Sequence, residues 1–238
     1  MKELIVALDV DTPAEAHALA DRLRGAVGGF KIGKQLFTSQ GPSIVTDLVA
    51  RGDRIFLDLK FHDIPNTVAG AAAAAARLGV WMLNVHASGG SAMMRAAADA
   101  ARAEARKVGR NPPLVIGVTV LTSLDATGLA EIGIEAPVAT EVETLAALAQ
   151  RAGLDGVVAS PQELPLVRAR CGSSFVIVTP GIRGADDVKG DQHRTMSADE
   201  ALAAGASYLV VGRPITRAPD PRAAADQIAR ACQVRLQR

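Results

Sequence analysis

Short apolar runs rich in β-branched residues recur along the chain, and segments with apolar residues every three or four positions separate them. The runs predict eight strands, at residues 4–10, 30–33, 54–61, 82–86, 114–120, 156–159, 175–179 and 208–211. The segments between them, such as 14–23 and 141–152, predict helices. Strands that alternate with helices in this way indicate a parallel sheet.

The length of the chain favours closure of this sheet into a barrel. Eight strand–helix units of about 30 residues each use all 238 residues, so the pattern predicts a single (β/α)8 TIM barrel, with one domain over residues 1–238. A hydrophobic fraction of 49% supplies the core that such a domain needs. The alternative is a doubly wound open sheet, but no GxGxxG motif follows the first predicted strand.

Charge and cysteine content narrow the expected partners and location. The 26 basic residues nearly balance 25 acidic ones, for a net charge of +1, which argues against nucleic acid or an anionic membrane as a partner. The apolar stretch 68–76 is far shorter than the roughly 20 residues of a membrane-spanning helix and is expected to form a packed helix. Cys171 and Cys232 lack CxxC spacing, and the N-terminus has no export signal, so we expect reduced thiols in the cytoplasm.

The third predicted strand contains two charged residues at alternate positions. In residues 55–61, a period of two places Asp58 and Lys60 on one face and Leu57 and Leu59 on the other. Barrel enzymes place catalytic residues at the carboxyl ends of the strands, so we expect the charged face in the barrel mouth. Burying both charges is costly unless they pair, which favours a functional role over a structural ion pair or a solvated strand end.

Three more charged residues lie within or after the first three predicted strands. Asp9 closes the first strand, Lys31 lies in the second, and Asp63 follows the third. Each residue alone is more often an ordinary surface charge, but their positions at successive strand ends predict that they converge with Asp58 and Lys60. The sequence therefore predicts a network of charges at the barrel mouth.

The last two predicted strands are followed by residues suited to binding a phosphate, which barrels usually bind at loops seven and eight. The first of these loops contains Gly181 and Arg183, and the second contains Gly212 and Arg213. Glycine lets backbone amides approach an anion, and arginine offers a planar fork, although a turn glycine beside a solvated arginine is the alternative. The polar segment 184–194 predicts a mobile lid, or else a simple exposed loop.

The motif at residues 58–67 resembles the signature of the orotidine 5'-monophosphate decarboxylase family. The core of that signature is an aspartate, a lysine two positions later and an aspartate three positions after that, as in Asp58, Lys60 and Asp63. The resemblance extends along the whole chain, to Asp9, Lys31 and residues 121–123, 181–183, 190–192 and 212–213. It implies a cofactor-free barrel enzyme that converts orotidine monophosphate to uridine monophosphate and carbon dioxide, the last step of de novo UMP biosynthesis.

The resemblance also implies a catalytic set made of Lys31, Asp58, Lys60 and Asp63. Lys60 would stabilise the carbanion that forms at C6 of the pyrimidine and then protonate it. Asp58 would lie beside the departing carboxylate. Asp63 and Thr67 would reach in from the partner subunit of a homodimer with shared active sites.

Other positions would bind the nucleotide. The resemblance implies that Asp9 and Lys31 hold ribose hydroxyls, Thr122 and Ser123 meet the pyrimidine, Gln192 bridges base and phosphate, Arg213 and the Gly212 amide grip the phosphate, and Arg183 lies near it. No metal site is expected, since the scattered histidines and the two cysteines form no zinc-binding motif.

Two other functions share part of this pattern. 3-Keto-L-gulonate 6-phosphate decarboxylases and hexulose-phosphate synthases resemble the chain in fold and in the Asp-x-Lys-x-x-Asp core, and they use a magnesium ion. Lys31, Thr122, Ser123 and Gln192 favour a pyrimidine nucleotide instead. The second alternative is a barrel that binds nucleotide without catalysis, and the presence of both the aspartate and the lysine of that core argues against it.

Overall fold

A closed barrel of eight parallel strands forms the centre of the computed structural model, which describes residues 1–182 and 196–236. The strands follow one another around the barrel in chain order, and the eighth pairs with the first. They are β1 (Leu4–Ala7), β2 (Gly29–Gly33), β3 (Ile55–Phe61), β4 (Met82–His86), β5 (Leu114–Val118), β6 (Gly156–Val158), β7 (Val176–Thr179) and β8 (Tyr208–Val211). This topology confirms the predicted (β/α)8 barrel.

All eight predicted strands are present, and β4 and β8 have the predicted bounds. β1 and β5 end earlier than predicted, at Ala7 and Val118. Leu8 and Val120 are still buried beyond these ends. A run of apolar residues indicates which positions are buried, not which ones pair with a neighbouring strand. The apolar runs therefore extend past the ends of the strands, toward the barrel mouth.

Helices surround the barrel and connect its strands. They are α1 (Pro13–Leu23), α2 (Lys34–Gln40), α3 (Ser43–Ala50), α4 (Pro65–Leu78), α5 (Gly90–Lys107), α6 (Ala126–Glu131), α7 (Val138–Arg151), α8 (Leu164–Cys171), α9 (Ala198–Ala203), α10 (Arg213–Thr216) and α11 (Pro221–Leu236). Short 3-10 turns at Ala87–Gly89 and Pro161–Glu163 follow β4 and β6. The helices predicted at 14–23 and 141–152 correspond to α1 and α7.

Two apolar layers stabilise the barrel. The interior is filled by a cluster of side chains from five strands, which are Ile5, Phe56, Met82, Ile116 and Val178. Leu4 and Val6, on either side of Ile5, belong to a larger cluster that also contains buried residues of the helices. Successive side chains of a strand point to opposite faces, so each strand contributes to both layers.

The alanine-rich stretch predicted as a packed helix lies in α4. This helix buries Val68, Ala72, Ala75 and Ala76, and it packs chiefly against α5. Small side chains at these positions let the two helices approach closely. Among the residues that the structure describes, no helix combines the length and apolar character that crossing a membrane requires.

Candidate active site

A cavity of about 640 Å³ lies at the carboxyl ends of the barrel strands. Apolar side chains from inside the barrel, such as Val118, Val158 and Val178, form part of its wall. Charged side chains from the first three strand ends complete it, together with residues that follow β7 and β8. A concave site with apolar walls and a few convergent polar groups is typical of small-molecule binding.

Four charged side chains form a row of ion pairs along this cavity. Asp9 Oδ1 lies 3.0 Å from Lys31 Nζ, and the same ammonium lies 3.6 Å from Asp58 Oδ2. Asp58 Oδ1 lies 2.6 Å from Lys60 Nζ. The structure thus brings together four of the five charges that we predicted to converge. Asp63 is the exception.

Gly33 at the end of β2 leaves room for this row. A Cβ atom at this position would lie 2.9 Å from Lys31 Nζ and 3.4 Å from Asp9 Oδ1. Any other residue would therefore crowd the ammonium, which must lie between two carboxylates. Sequence reasoning passed over this glycine because its role depends on the neighbouring strand.

Asp58 is mostly buried, with 13% of its side chain exposed. Burial raises the pKa of this carboxyl, but the ammonium groups of Lys31 and Lys60, with hydrogen bonds from Lys60 and Asn84, outweigh burial and hold the pKa below its ordinary value. Asp58 is therefore ionised at neutral pH, and it places a negative charge between two ammonium groups.

The backbone of Lys60 departs from a regular strand. Its φ is +54°, and among the described residues it is the only non-glycine residue with a positive φ. The pairing of β3 with β4 also shifts register between Leu57 and Phe61. The predicted alternation of side chains is nevertheless confirmed, because Asp58 and Lys60 both line the cavity while Leu57 and Leu59 pack in the outer apolar layer. Strained backbone of this kind is common at functional sites.

Asn84 on β4 is a candidate site residue that sequence reasoning missed. Its amide is 1% exposed, accepts a hydrogen bond from the Lys60 N–H at 2.8 Å, and donates one to Asp58 Oδ1 at 2.6 Å. A usable signal was present in the sequence, because a polar amide inside a buried, otherwise apolar strand needs hydrogen-bond partners.

The loops after β7 and β8 form another part of the cavity wall. Pro180, Gly181, Gly212 and Arg213 all line it, and Thr122 lines it from the loop after β5. Of the residues predicted to bind phosphate, Gly181, Gly212 and Arg213 therefore line the same cavity as the row of ion pairs. Such a site can hold a molecule with an anionic group at one end and a reacting centre beside Lys60.

The chain matches a known protein family. The model of the Orotidine 5'-phosphate decarboxylase / HUMPS family matches residues 2–228. The chain belongs to this family. The match covers every strand of the barrel and both groups of residues that line the cavity.

Curated relatives and a solved structure in this family are similar over nearly their whole length. The chain is 58% identical over 228 residues to the orotidine 5'-phosphate decarboxylase of Moorella thermoacetica, covering 95% of this chain and 90% of that protein. It is 55% identical to the enzyme of that name from Syntrophotalea carbinolica, with 95% and 93% covered. The crystal structure of orotidine 5'-phosphate decarboxylase from Lactobacillus acidophilus has a TM-score of 0.86 at 38% identity, covering 98% of this chain and 99% of that one.

Several residues predicted from the family resemblance lie away from the cavity or outside the described residues. Asp63, Thr67 and Ser123 are exposed and do not line the cavity. The Asp63 carboxylate accepts a hydrogen bond from the N–H of Ile64, at 2.6 Å, and among the described residues it makes no ion pair with Lys60. Arg183, Gln192 and the predicted lid at 184–194 lie outside the residues that the structure describes.

His86, at the end of β4, lies near the same charges. Burial, followed by the positive charges of His62, Lys60 and Lys34, lowers its pKa to about 4. The rings of His86 and His62 lie 5.3 Å apart. His86 is therefore neutral at pH 7. Within residues 1–182 and 196–236, no group of three or more histidine, cysteine or acidic side chains is placed to hold a metal ion.

Proposed function

We propose that this protein decarboxylates orotidine 5'-monophosphate to uridine 5'-monophosphate and carbon dioxide. The observation that carries this proposal is the ammonium of Lys60, which lies 2.6 Å from Asp58 in a cavity that Gly212 and Arg213 also line. Curated relatives named for this activity are 52–58% identical to the chain, which supports the same assignment.

The chemical difficulty is the charge left on the pyrimidine. When the bond from C6 to the carboxylate breaks, carbon dioxide leaves and the electron pair remains on C6, where the ring delocalises it poorly. Lys60 places a fixed positive charge beside that carbon and stabilises the developing anion without reorganisation of solvent. The ammonium then gives C6 a proton, which completes uridine monophosphate, and the neutral amine regains a proton from water.

The neighbours of Lys60 hold its side chain in position. Asp58 contacts it directly, and Lys31 contacts the other oxygen of Asp58. Repulsion between Asp58 and the substrate carboxylate adds to the driving force, although we rank it below stabilisation of the carbanion. Of the other row members, Asp9 is more than half exposed, with 55% of its side chain accessible, so it can also reach ribose hydroxyls.

The active site is shared between two subunits of a homodimer in this proposal. Asp63 and Thr67 are exposed, and the apolar Ile64 between them is 67% exposed. A partner chain that covers Ile64 would bring its own Asp63 to Lys60.

We further propose that the chain folds as one domain and that the protein is located in the cytoplasm.

The direct test follows the ultraviolet absorbance of orotidine monophosphate with purified protein in excess EDTA. We expect the orotate absorbance to fall, and the rate with EDTA to equal the rate without it, since Lys60 supplies the charge stabilisation. Complete loss of activity in EDTA, with recovery on added magnesium, would favour a metal-dependent sugar-phosphate enzyme. Nucleotide binding without release of carbon dioxide would favour a non-catalytic barrel.

Removal of the phosphate contact gives a second expected result. We expect Arg213→Ala to lower kcat/KM for the nucleotide about 100-fold, since charge-assisted hydrogen bonds to phosphate contribute roughly 1.5–3 kcal/mol each. The same variant should change turnover of orotidine, which lacks the phosphate, by less than about threefold. Arg222→Ala, an exposed arginine that does not line the cavity, is the control. Equal losses on both substrates would contradict the phosphate role.

A further inference from the structure

The side chain of Asn84 contacts both the backbone of Lys60 and the carboxylate of Asp58. Its Oδ1 accepts the backbone N–H of Lys60, and its Nδ2 donates to Oδ1 of Asp58. Lys60 Nζ contacts that same Asp58 oxygen. The main chain of Lys60, the amide, the carboxylate and the side chain of Lys60 therefore form a closed ring of contacts.

Only one orientation of the Asn84 amide fits this ring. Reversing it would place its NH2 against the N–H of Lys60, with two donors facing each other, and its oxygen against the Asp58 carboxylate, with two acceptors facing each other. A carboxylate in place of the amide would lack the donor, and an aliphatic residue would lack both groups. The site therefore uses a property that asparagine has and its nearest isosteres lack.

The backbone at Lys60 explains why such a partner is needed. The register shift between Leu57 and Phe61 interrupts the pairing of β3 with β4 at this point. A partly buried N–H that loses its strand partner needs another acceptor, and Asn84 Oδ1 is that acceptor at 2.8 Å. The same hydrogen bond holds Lys60 at a φ of +54°, a conformation that residues other than glycine rarely adopt.

We propose that Asn84 is a positioning residue that fixes the Lys60 ammonium relative to Asp58 and the reacting carbon. This inference rests on the decarboxylase activity proposed above. Asn84 acts through Lys60 and Asp58 and is not among the residues that line the cavity. Its loss should therefore impair the chemical step much more than it impairs nucleotide binding.

Kinetics of two Asn84 variants and one control test the inference. We expect Asn84→Ala to lower kcat about 100-fold, the loss typical of a reacting group misplaced by about an ångström, with KM within about threefold of wild type. Asn84→Asp keeps the volume and the acceptor for Lys60 but sets a second carboxylate against Asp58. We expect it to lose a similar factor in kcat. Because it is nearly isosteric, it also provides the test where the alanine variant does not fold.

Thr119→Val is the matched control, since Thr119 is also buried and its hydroxyl donates to the carbonyl of Val158 at 2.8 Å, away from the charged row. The kcat of Thr119→Val should stay within about threefold of wild type.

The pH dependence of kcat distinguishes a positioning role of Asn84 from a packing role. A like charge raises the pKa of a carboxyl, so the acidic limb of kcat should move to higher pH in Asn84→Asp and stay in place in Thr119→Val.

The outcomes distinguish this inference from the proposed function. Wild type that leaves orotidine monophosphate unchanged would contradict the decarboxylase assignment itself. If wild type is active, a folded Asn84 variant with kcat within about threefold of wild type would overturn the positioning role and leave the assignment intact. An equal loss in kcat for Thr119→Val, with an unmoved acidic limb in Asn84→Asp, would also overturn it, because any buried polar residue would then have the same effect.

Discussion

Lys60→Ala is expected to lower kcat for orotidine monophosphate by about 10,000-fold or more. Removing one preorganised electrostatic contact to a transition state costs on the order of 100- to 1,000-fold, and removing a general acid costs about 100- to 10,000-fold. Lys60 has both roles in the proposed mechanism. No other ammonium contacts the same oxygen of Asp58 within the described part of the chain, so we expect no substitute.

Binding should survive this substitution, because the proposed phosphate contacts come from Gly212 and Arg213, which line the cavity and are unchanged in this variant. Titration calorimetry with uridine monophosphate should therefore still give a measurable Kd. Lys34→Ala is the control, since this exposed lysine follows Gly33 and does not line the cavity, and its kcat should remain near that of wild type. Activity of Lys60→Ala within about tenfold of wild type would refute the catalytic assignment.

Mixing two inactive variants, Lys60→Ala and Asp63→Ala, is expected to restore about a quarter of wild-type activity. The two chains are unfolded together and refolded so that heterodimers form at random. A two-fold interface is isologous, so each chain gives Asp63 to the other and receives one in return. In a heterodimer one site then carries both lesions and the other carries neither. About half of the dimers are heterodimers, which leaves roughly one site in four intact.

The structure supports this expectation through the position of Asp63. This carboxylate is exposed, its hydrogen bond is to the N–H of the next residue, and no ion pair with Lys60 of the same chain is present among the described residues. Each variant refolded alone is the control and should stay inactive. Native mass spectrometry establishes that heterodimers formed. Heterodimers without recovered activity would mean that Asp63 acts within its own chain or caps the turn before α4.

The sequence by itself determined the barrel and most of the charged row. Strand and helix periods are local properties, so eight strands could be read from apolar spacing, and the bounds of β4 and β8 matched the structure. Parallel strands of a barrel end at the same rim, so Asp9, Lys31 and Asp58 could be predicted to converge from their places at strand ends alone.

Tertiary structure alone decided how Lys60 is held. Its positive φ follows from the interrupted pairing of β3 with β4, and periodicity within one strand contains no information about the register of its neighbour. The same holds for Asn84, whose two partners lie 24 and 26 positions away in the chain. The exposure of Asp63 also could not be predicted from the spacing of the motif at residues 58–67. Spacing shows which residues occur together, but not whether each one acts in its own subunit or in the partner subunit. Contacts between strands set these features, and such contacts exist only after the barrel has closed.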